Sequence, residues 1–310
     1  MKVISLFSGI GGIDLAFRQA GFDIVWANDI DRDACKTYRA NFGEASVVES
    51  DIRAIQTEDI PVAEVITAGF PCQSFSVCGN RKGFSDSRGN LFFEVMRVAD
   101  AVKPKVIFLE NVANLVAHDK GRTFNIIFNE LAERGYYIRY LIADACDYGI
   151  PQHRTRTYIV AFSDERQCST FEFPEKRELT ANIFDIIDRT QRAEDRYYLD
   201  ISSANYRRMS AFIKDTNQIY RFSDYGIQSS RDGICFTLKA NMGTWYNRVP
   251  IIKDDFGIRT ITPYECLALQ GFPKGFVFPD IPEKSAYKQC GNTVVVSLVR
   301  EIASRVFGCD

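Results

Sequence analysis

The 310-residue chain contains no CxxC pair and only two histidines, His118 and His153. Its nine cysteines stand singly, at positions 35, 72, 78, 146, 168, 235, 266, 290 and 309. The ligand spacing of a structural zinc site is therefore missing, and no metal is expected. An odd cysteine count without an export signal argues for thiols rather than bridges. No apolar run approaches the length of a membrane span, and MKVISLFSGIGG at the N-terminus lacks the apolar core and cleavage site of a signal peptide. A cytoplasmic protein with no membrane partner is expected. Net charge is only −2, so the whole molecule gives no sign of a nucleic-acid partner, and any basic surface must be local. Repeats and low-complexity tracts are absent as well.

What is present is an ordinary globular composition, 46% hydrophobic and 25% charged, long enough for one large domain or a large and a small one. The first half alternates short β-rich runs with segments of helical period, the pattern of an α/β fold with a doubly wound, mainly parallel sheet. KVISLF, DIVWAND, SVVESD, AEVITAG, VIFLEN, YYIRYLIADA and RTYIVAF read as strands; IDLAFRQAG, RDACKTYRANFG, LFFEVMRVADAV and TFNIIFNELAERG read as helices. Near Phe173 the rhythm breaks into a charge-rich stretch, which predicts a smaller second domain. TPYECLALQGFP restores a helix, with Thr262 and Glu265 spaced as a capping box and Pro263 at its first position. TVVVSLVREIASRVFG is a final apolar helix that returns to the first domain. The expected division is 1–174, completed by 285–310, and 175–284.

A glycine turn joins the first strand to the first helix, and Asp29 ends the second strand 18 residues after Gly11. This is the layout for an adenosine-bearing cofactor at a topological switch point. The dinucleotide pattern GxGxxG is not met, because Asp14 stands where the third glycine belongs, and a pyrophosphate loses support. S-adenosylmethionine, with a ribose and an adenine but no phosphate, suits the turn better. Asp51 adds a second carboxylate at the same edge. Taken alone, the turn is equally compatible with a tight bend that binds nothing.

Cys72 lies in AGFPCQSFS, straight after a proline at the end of an apolar strand rather than inside a periodic segment. A thiol at the carboxyl edge of such a sheet is a candidate nucleophile, although an idle buried cysteine is the commoner case. The polar loop NRKGFSDSRGN from Asn80 follows, long enough to suggest function.

Six stretches in fixed order resemble the motifs of the DNA (cytosine-5) methyltransferases, the compact bacterial restriction-modification type above all: Ser5 to Gly12, GFPCQSFS from Gly69, ENV from Glu110, QHRTR from Gln152, RTITPYECLALQGFP from Arg259 and YKQCGNTVVVSLV from Tyr287. Only about 175–255 is left uncovered. The resemblance implies the S-adenosylmethionine-dependent methyltransferase fold with a target-recognition domain, and methyl transfer to C5 of cytosine in a short duplex DNA sequence. Cys72 matches the nucleophile that adds to C6, Glu110 the carboxyl group at N3, and Arg156, with Arg154 alongside, the donor to the base carbonyl. The target base must leave the stack to be reached. Phe7, Gly9, Ile10, Gly12, Asp29, Ile30, Asp51, Ile52, Pro71, Leu91, Asn292 and Val294 fall at cofactor-lining positions. Ser5 stands where many members have aspartate, and Ile30 where an aromatic often covers the adenine.

By the same resemblance, the loop from Asn80 matches an active-site loop whose Arg81, Lys82 and Arg88 meet DNA, as Gln73 and Ser76 do before it, and 175–255 matches the region that reads its sequence. There Arg231, Lys239 and Arg248, with Asn241, Trp245 and Asn247, are able to meet phosphates and base edges. Thr237, in a Thr-Leu doublet, would hold the backbone of the flipped nucleotide. Double-stranded DNA, a cognate restriction endonuclease and a monomeric state are expected. Three alternatives stay open at this point: the same chemistry on tRNA, a non-catalytic DNA-binding relative, and a nicotinamide-dependent oxidoreductase on a similar sheet.

Overall fold

The structure is a computed structural model that describes residues 1–71, 91–213, 215–223, 226–230, 233–243 and 248–308. Cys72, Gln73, Ser76, Arg81, Lys82, Arg88, Arg231, Trp245 and Asn247 lie outside the described residues. The chain forms two compact units. Met1–Ala143, Thr155–Pro174 and Val296–Asp310 make the first, and Asp144–Arg154 with Glu175–Val295 make the second.

A seven-stranded sheet organises the first unit. Its strands are β1 (Lys2–Leu6), β2 (Asp23–Asp29), β3 (Val48–Glu49), β4 (Val65–Ala68), β5 (Val106–Val112), β6 (Tyr137–Asp144) and β7 (Thr155–Phe162), in the order β3-β2-β1-β4-β5-β7-β6. The pairs among β1 to β5 are all parallel, whereas β5 and β7 run antiparallel. Strands covered on both faces are apolar throughout rather than alternating; β4 is buried along its whole length and β5 everywhere but Val112.

On one face, Ile66, Ile107 and Leu109 pack with Phe92, Val95 and Met96 of α3 (Leu91–Val102) and with Ile127 and Leu131 of α4 (Arg122–Glu133). On the other, Phe17 of α1 (Gly12–Gln19) meets Phe108 edge-on, with ring centroids 5.3 Å apart. The final helix α9 (Val296–Arg305) packs on α1. Because β1 to β5 are parallel, their carboxyl ends open at one edge, and the chain reverses direction across the sheet on either side of β1.

The strand expected over SVVESD shortens to Val48–Glu49. Beyond it the side-chain amide of Asn28 donates to the carbonyls of Val48 and Ser50, and Asp51 caps a short turn at Ile52–Ala54. Side chains thus take over the hydrogen bonds that a longer ladder would make.

The second unit holds an antiparallel sheet in the order β11-β10-β8-β9: β8 (Ile219–Ser223), β9 (Gly226–Ser230), β10 (Ile251–Lys253) and β11 (Ile258–Thr260). Leu199, Tyr220, Ile251 and Ile258 form its core with Met209 of α6 (Ala204–Phe212). The capping box at Thr262 and Glu265 is made, and it opens α7 (Pro263–Leu269). Glu265 also takes both terminal nitrogens of buried Arg259 at 2.8 Å, while Asp254 accepts from Arg259 Nε at 2.6 Å.

Residues 144–154 and 285–295, which the expected division put with the first domain, fall in this unit. The first segment is hydrogen-bonded to the chain at 235–238. The second takes in most of α8 (Glu283–Asn292), in which Gly291 touches the main chain of Lys239 and Ala240. A Cβ at Gly291 would lie 2.2 Å from the carbonyl carbon of Lys239 and 2.3 Å from the nitrogen of Ala240. Main chain cannot yield as a side-chain tip does, so Gly291→Ala is expected to cost roughly 3 kcal/mol or more. Urea unfolding checks this, and a loss under about 1 kcal/mol would mean that α8 shifts freely.

Candidate active site

The turn from β1 into α1 is strained in a way that suits close approach of a ligand. Phe7, Gly9 and Gly11 all have positive φ, at 56°, 55° and 83°. A Cβ on Gly11 would lie 2.5 Å from Cε2 of Phe42, so this turn has room for glycine alone. Gly9 N–H donates to Asp29 Oδ2 at 2.7 Å and Asp31 N–H to Oδ1 at 2.8 Å. Burial raises the pKa of Asp29, against these opposing hydrogen bonds. Its carboxylate is thus aimed by main chain and keeps lone pairs for hydroxyl donors. Next to it Ile30 is 66% exposed and offers an apolar surface to a flat base.

Ile10 is buried in the turn and Gly12 at the start of α1, Ile52 is buried in the short turn that Asp51 caps, Leu91 is half-buried at the start of α3, and Pro71 is exposed. Asp51 is already engaged, since Arg53 Nε lies 2.9 Å from its Oδ1 and Arg53 N–H also donates to it. The hydrogen bond from Arg53 holds the Asp51 pKa below the usual carboxylate range. This edge of the first unit fits an adenosine-bearing group in its donor set: an oriented carboxylate, an apolar surface and a glycine turn. Asn292, exposed, and Val294, buried, belong to the second unit.

Asp14 is fully buried on α1, and the hydroxyl of Tyr38, on α2 (Arg32–Phe42), donates to its Oδ2 at 2.6 Å. Burial outweighs that hydrogen bond and pushes the Asp14 pKa up to about 6.

At the end of β5, Glu110 is almost wholly buried, and its Oε1 lies 3.1 Å from Nε of Arg156 on β7. Both side chains are little more than a tenth exposed, so the pair works in a medium where charge is weakly screened. Arg156 also donates to the carbonyl of Thr155 at 2.8 Å. The neighbouring Asn111 donates from its amide to the Phe70 carbonyl at 2.8 Å. A Cβ on Gly69 would stand 3.7 Å from Glu110 Oε2. The segment Gly69–Phe70, which follows β4 and leads toward Cys72, is therefore anchored directly beside the Glu110 carboxyl.

The second unit holds Arg154, which is 2% exposed. Its guanidinium donates to the carbonyls of Leu238 at 2.9 Å and Gly291 at 3.0 Å, and also to that of Thr293. It ties two stretches of main chain together, at Leu238 and at Gly291–Thr293, while Arg156, two residues on, pairs with Glu110. The Thr237 hydroxyl donates to the His153 carbonyl at 2.6 Å, and Lys239 and Arg248 are exposed.

The family profile described as C-5 cytosine-specific DNA methylase matches residues 1–308. The chain belongs to this family. It is 44% identical over 311 aligned residues to the Type II methyltransferase M.Bsp6I of Bacillus sp. (strain RFL6), covering 99% of this chain and 98% of that one. It is 37% identical to the Type II methyltransferase M.SsoII of Shigella sonnei, over 98% of this chain and 79% of the relative. A crystal structure of a Spodoptera frugiperda DNMT2 mutant superposes with a TM-score of 0.76 at 20% identity, over 99% of both chains, which establishes the shared fold. The protein is a cytosine-C5 DNA methyltransferase of the Type II, restriction-modification kind. Among the described residues, no helix of this methyltransferase is long and apolar enough to cross a membrane.

Sequence reading overlooked Asn111 and Gln152, each embedded in a recognised motif. Asn111 holds the Phe70 carbonyl, and Gln152 is completely buried with its amide toward the Leu269 carbonyl at 3.4 Å. An amide that breaks an otherwise apolar or charged motif was the available signal.

Asp14 has its pKa raised on folding, so its contribution to stability is complete below about pH 3.8 and is lost as pH rises through about 6. Relative to Asp14→Asn, the wild type should lose up to roughly 3 kcal/mol between about pH 4 and pH 7. Denaturant unfolding of both proteins across that range tests it, and parallel pH profiles would refute it. Arg154→Met should lower stability by roughly 3 kcal/mol or more, because buried carbonyls lose their donors; an unchanged thermal midpoint would show that the three contacts carry no weight.

Proposed function

We propose that this methyltransferase moves a methyl group from S-adenosylmethionine to C5 of cytosine within one short duplex sequence, through a transient covalent bond between Cys72 and C6 of a base rotated out of the helix. The observation that carries the reading is the Glu110–Arg156 pair beside Gly69, three residues before Cys72. Cytosine C5 is a weak nucleophile until C6 is attacked. The Cys72 thiolate adds to C6 while the Glu110 carboxyl holds or gives a proton at N3, and Arg156 donates to the carbonyl oxygen on which charge grows. Electron density pushed onto C5 forms the new carbon–carbon bond to the methyl group, whose bond to the sulfonium sulfur breaks with its electron pair left on sulfur. A base then removes the C5 proton, and the thiolate leaves with the electrons of its bond to carbon.

When bound, S-adenosylmethionine supplies an electrophilic methyl group. Asp29 would hold its ribose hydroxyls, Ile30 its adenine, and the turn Phe7–Gly12 its amino-acid portion. Ile10, Ile52, Pro71, Leu91, Asn292 and Val294 would complete the lining, with Asp51 reaching it only if it parts from Arg53. Arg154 serves by positioning the main chain around Leu238. Gln73, Ser76, Arg81, Lys82, Arg88, Arg231, Thr237, Lys239 and Arg248 would meet DNA, the exposed Lys239 and Arg248 through phosphates. A monomer acting in the cytoplasm, paired with a nuclease of the same specificity, completes the reading.

The test is expression in a host free of cytosine methylation, followed by sequencing of its DNA for 5-methylcytosine. One short motif modified throughout the genome is expected. Cys72→Ser should leave the genome unmodified while cofactor affinity changes by less than about threefold; methylation at the wild-type level would remove Cys72 from the chemistry. Glu110→Gln should slow single-turnover methylation without weakening DNA binding, and a normal rate would exclude Glu110.

A further inference from the structure

The hairpin 144–154 brings together a carboxylate, a thiol and an imidazole that the methyl-transfer chemistry does not use. His153 Nδ1 lies 3.3 Å from Asp144 Oδ2 and 3.5 Å from Cys146 Sγ, and the three ligand atoms are all within 4.8 Å of one another. Tetrahedral coordination by these atom types, with Zn–S of about 2.3 Å and Zn–N and Zn–O of about 2.0–2.2 Å, places sulfur and nitrogen about 3.6 Å apart and nitrogen and oxygen about 3.4 Å apart. The two separations at His153 match edges of that tetrahedron to within about 0.1 Å, and the sulfur and carboxylate oxygen lie within 4.8 Å of each other. In the metal-free protein the same separations are hydrogen bonds that keep the groups gathered.

The scaffold under the three groups is fixed. Asp144 Oδ1 accepts from Arg154 N–H at 2.7 Å, which leaves Oδ2 turned to the cluster. Ala145 N–H donates to the Arg154 carbonyl at 3.2 Å and closes the base of the hairpin. His153 is held through both main-chain groups: its N–H donates to the Cys235 carbonyl at 2.9 Å, and its carbonyl accepts from the Thr237 hydroxyl. A carboxylate oriented by a main-chain donor and an imidazole on a braced backbone are the supports that raise the affinity of a metal site. With 52% of the His153 side chain exposed, an ion has a path in.

We propose that Asp144, Cys146 and His153 form a binding site for a borderline-soft divalent cation of the zinc type, with a fourth coordination position open to solvent. Thiolate and imidazole together select such ions over magnesium or calcium. Binding joins the two ends of the hairpin through one ion, releases the thiol proton to solvent and stabilises the folded protein by mass action.

The test is titration of the full-length protein with Co2+, whose thiolate complexes absorb in the near ultraviolet. A thiolate-to-cobalt band saturating at a single equivalent and displaced by Zn2+ is expected. It should vanish in Cys146→Ser, weaken in His153→Ala and persist in Cys72→Ser, so that the result does not depend on the assignment of Cys72. Zn2+ should likewise raise the thermal midpoint of the wild type and leave that of Cys146→Ser unchanged. A wild type without the band, or a band undiminished in Cys146→Ser, would overturn the proposal.

Discussion

The ion pair between Glu110 and Arg156 exists because β5 and β7 run antiparallel in one register, with Val112 opposite Arg156 and Glu110 opposite Tyr158. A slip of one residue would turn the charged side chains to the opposite face of a sheet that is apolar on both. Burial makes the pair costly to separate. The same strand carries Asn111, which holds the Phe70 carbonyl, so the carboxyl group and the segment leading to Cys72 are set by one piece of β-structure. The parallel pairing of β4 with β5 then decides that this happens at the carboxyl edge.

That edge is shared with the glycine turn. Asp29 is aimed by Gly9 and Asp31 N–H groups, and Phe7 and Gly9 hold uncommon backbone angles. Strain of this kind persists only where the surroundings over-determine it. Here they do so through the Phe42 ring against Gly11, the hydrogen bond from Tyr38 to buried Asp14, and the packing of α1 on Phe108. The residue that breaks the dinucleotide spacing, Asp14, is thus part of the interior that supports the turn.

Residues two apart in one motif have different work. Arg156 faces a carboxylate in the first unit, whereas Arg154 is spent on the carbonyls of Leu238, Gly291 and Thr293 in the second. A motif marks a place where the chain cannot vary freely, and only geometry separates a group offered to a ligand from one that ties main chain together. The buried Arg259, with Asp254 and Glu265 around it, is a second case of a motif charge used for architecture.

Much was legible in advance. Alternating β and helical periods are local properties, so the doubly wound sheet and the capping box at Thr262 could both be read from the order of residues. The six ordered stretches carried the family, because they register a set of chemical constraints together. The structure decided what depends on partners distant in sequence: the shortening of β3, where Asn28 takes over the ladder hydrogen bonds; the transfer of 144–154 and 285–295 to the second unit, where they meet the chain at 235–240; and the engagement of Asp51 by Arg53. Nor could spacing reveal Asp144, Cys146 and His153 as neighbours, since they follow no known ligand pattern and meet only because a hairpin folds them together. Sequence by itself determined the elements and the chemistry available, because these follow from side-chain type and short-range period. Tertiary structure alone decided which charges are offered and which are consumed, because a hydrogen-bond partner is chosen by proximity in space.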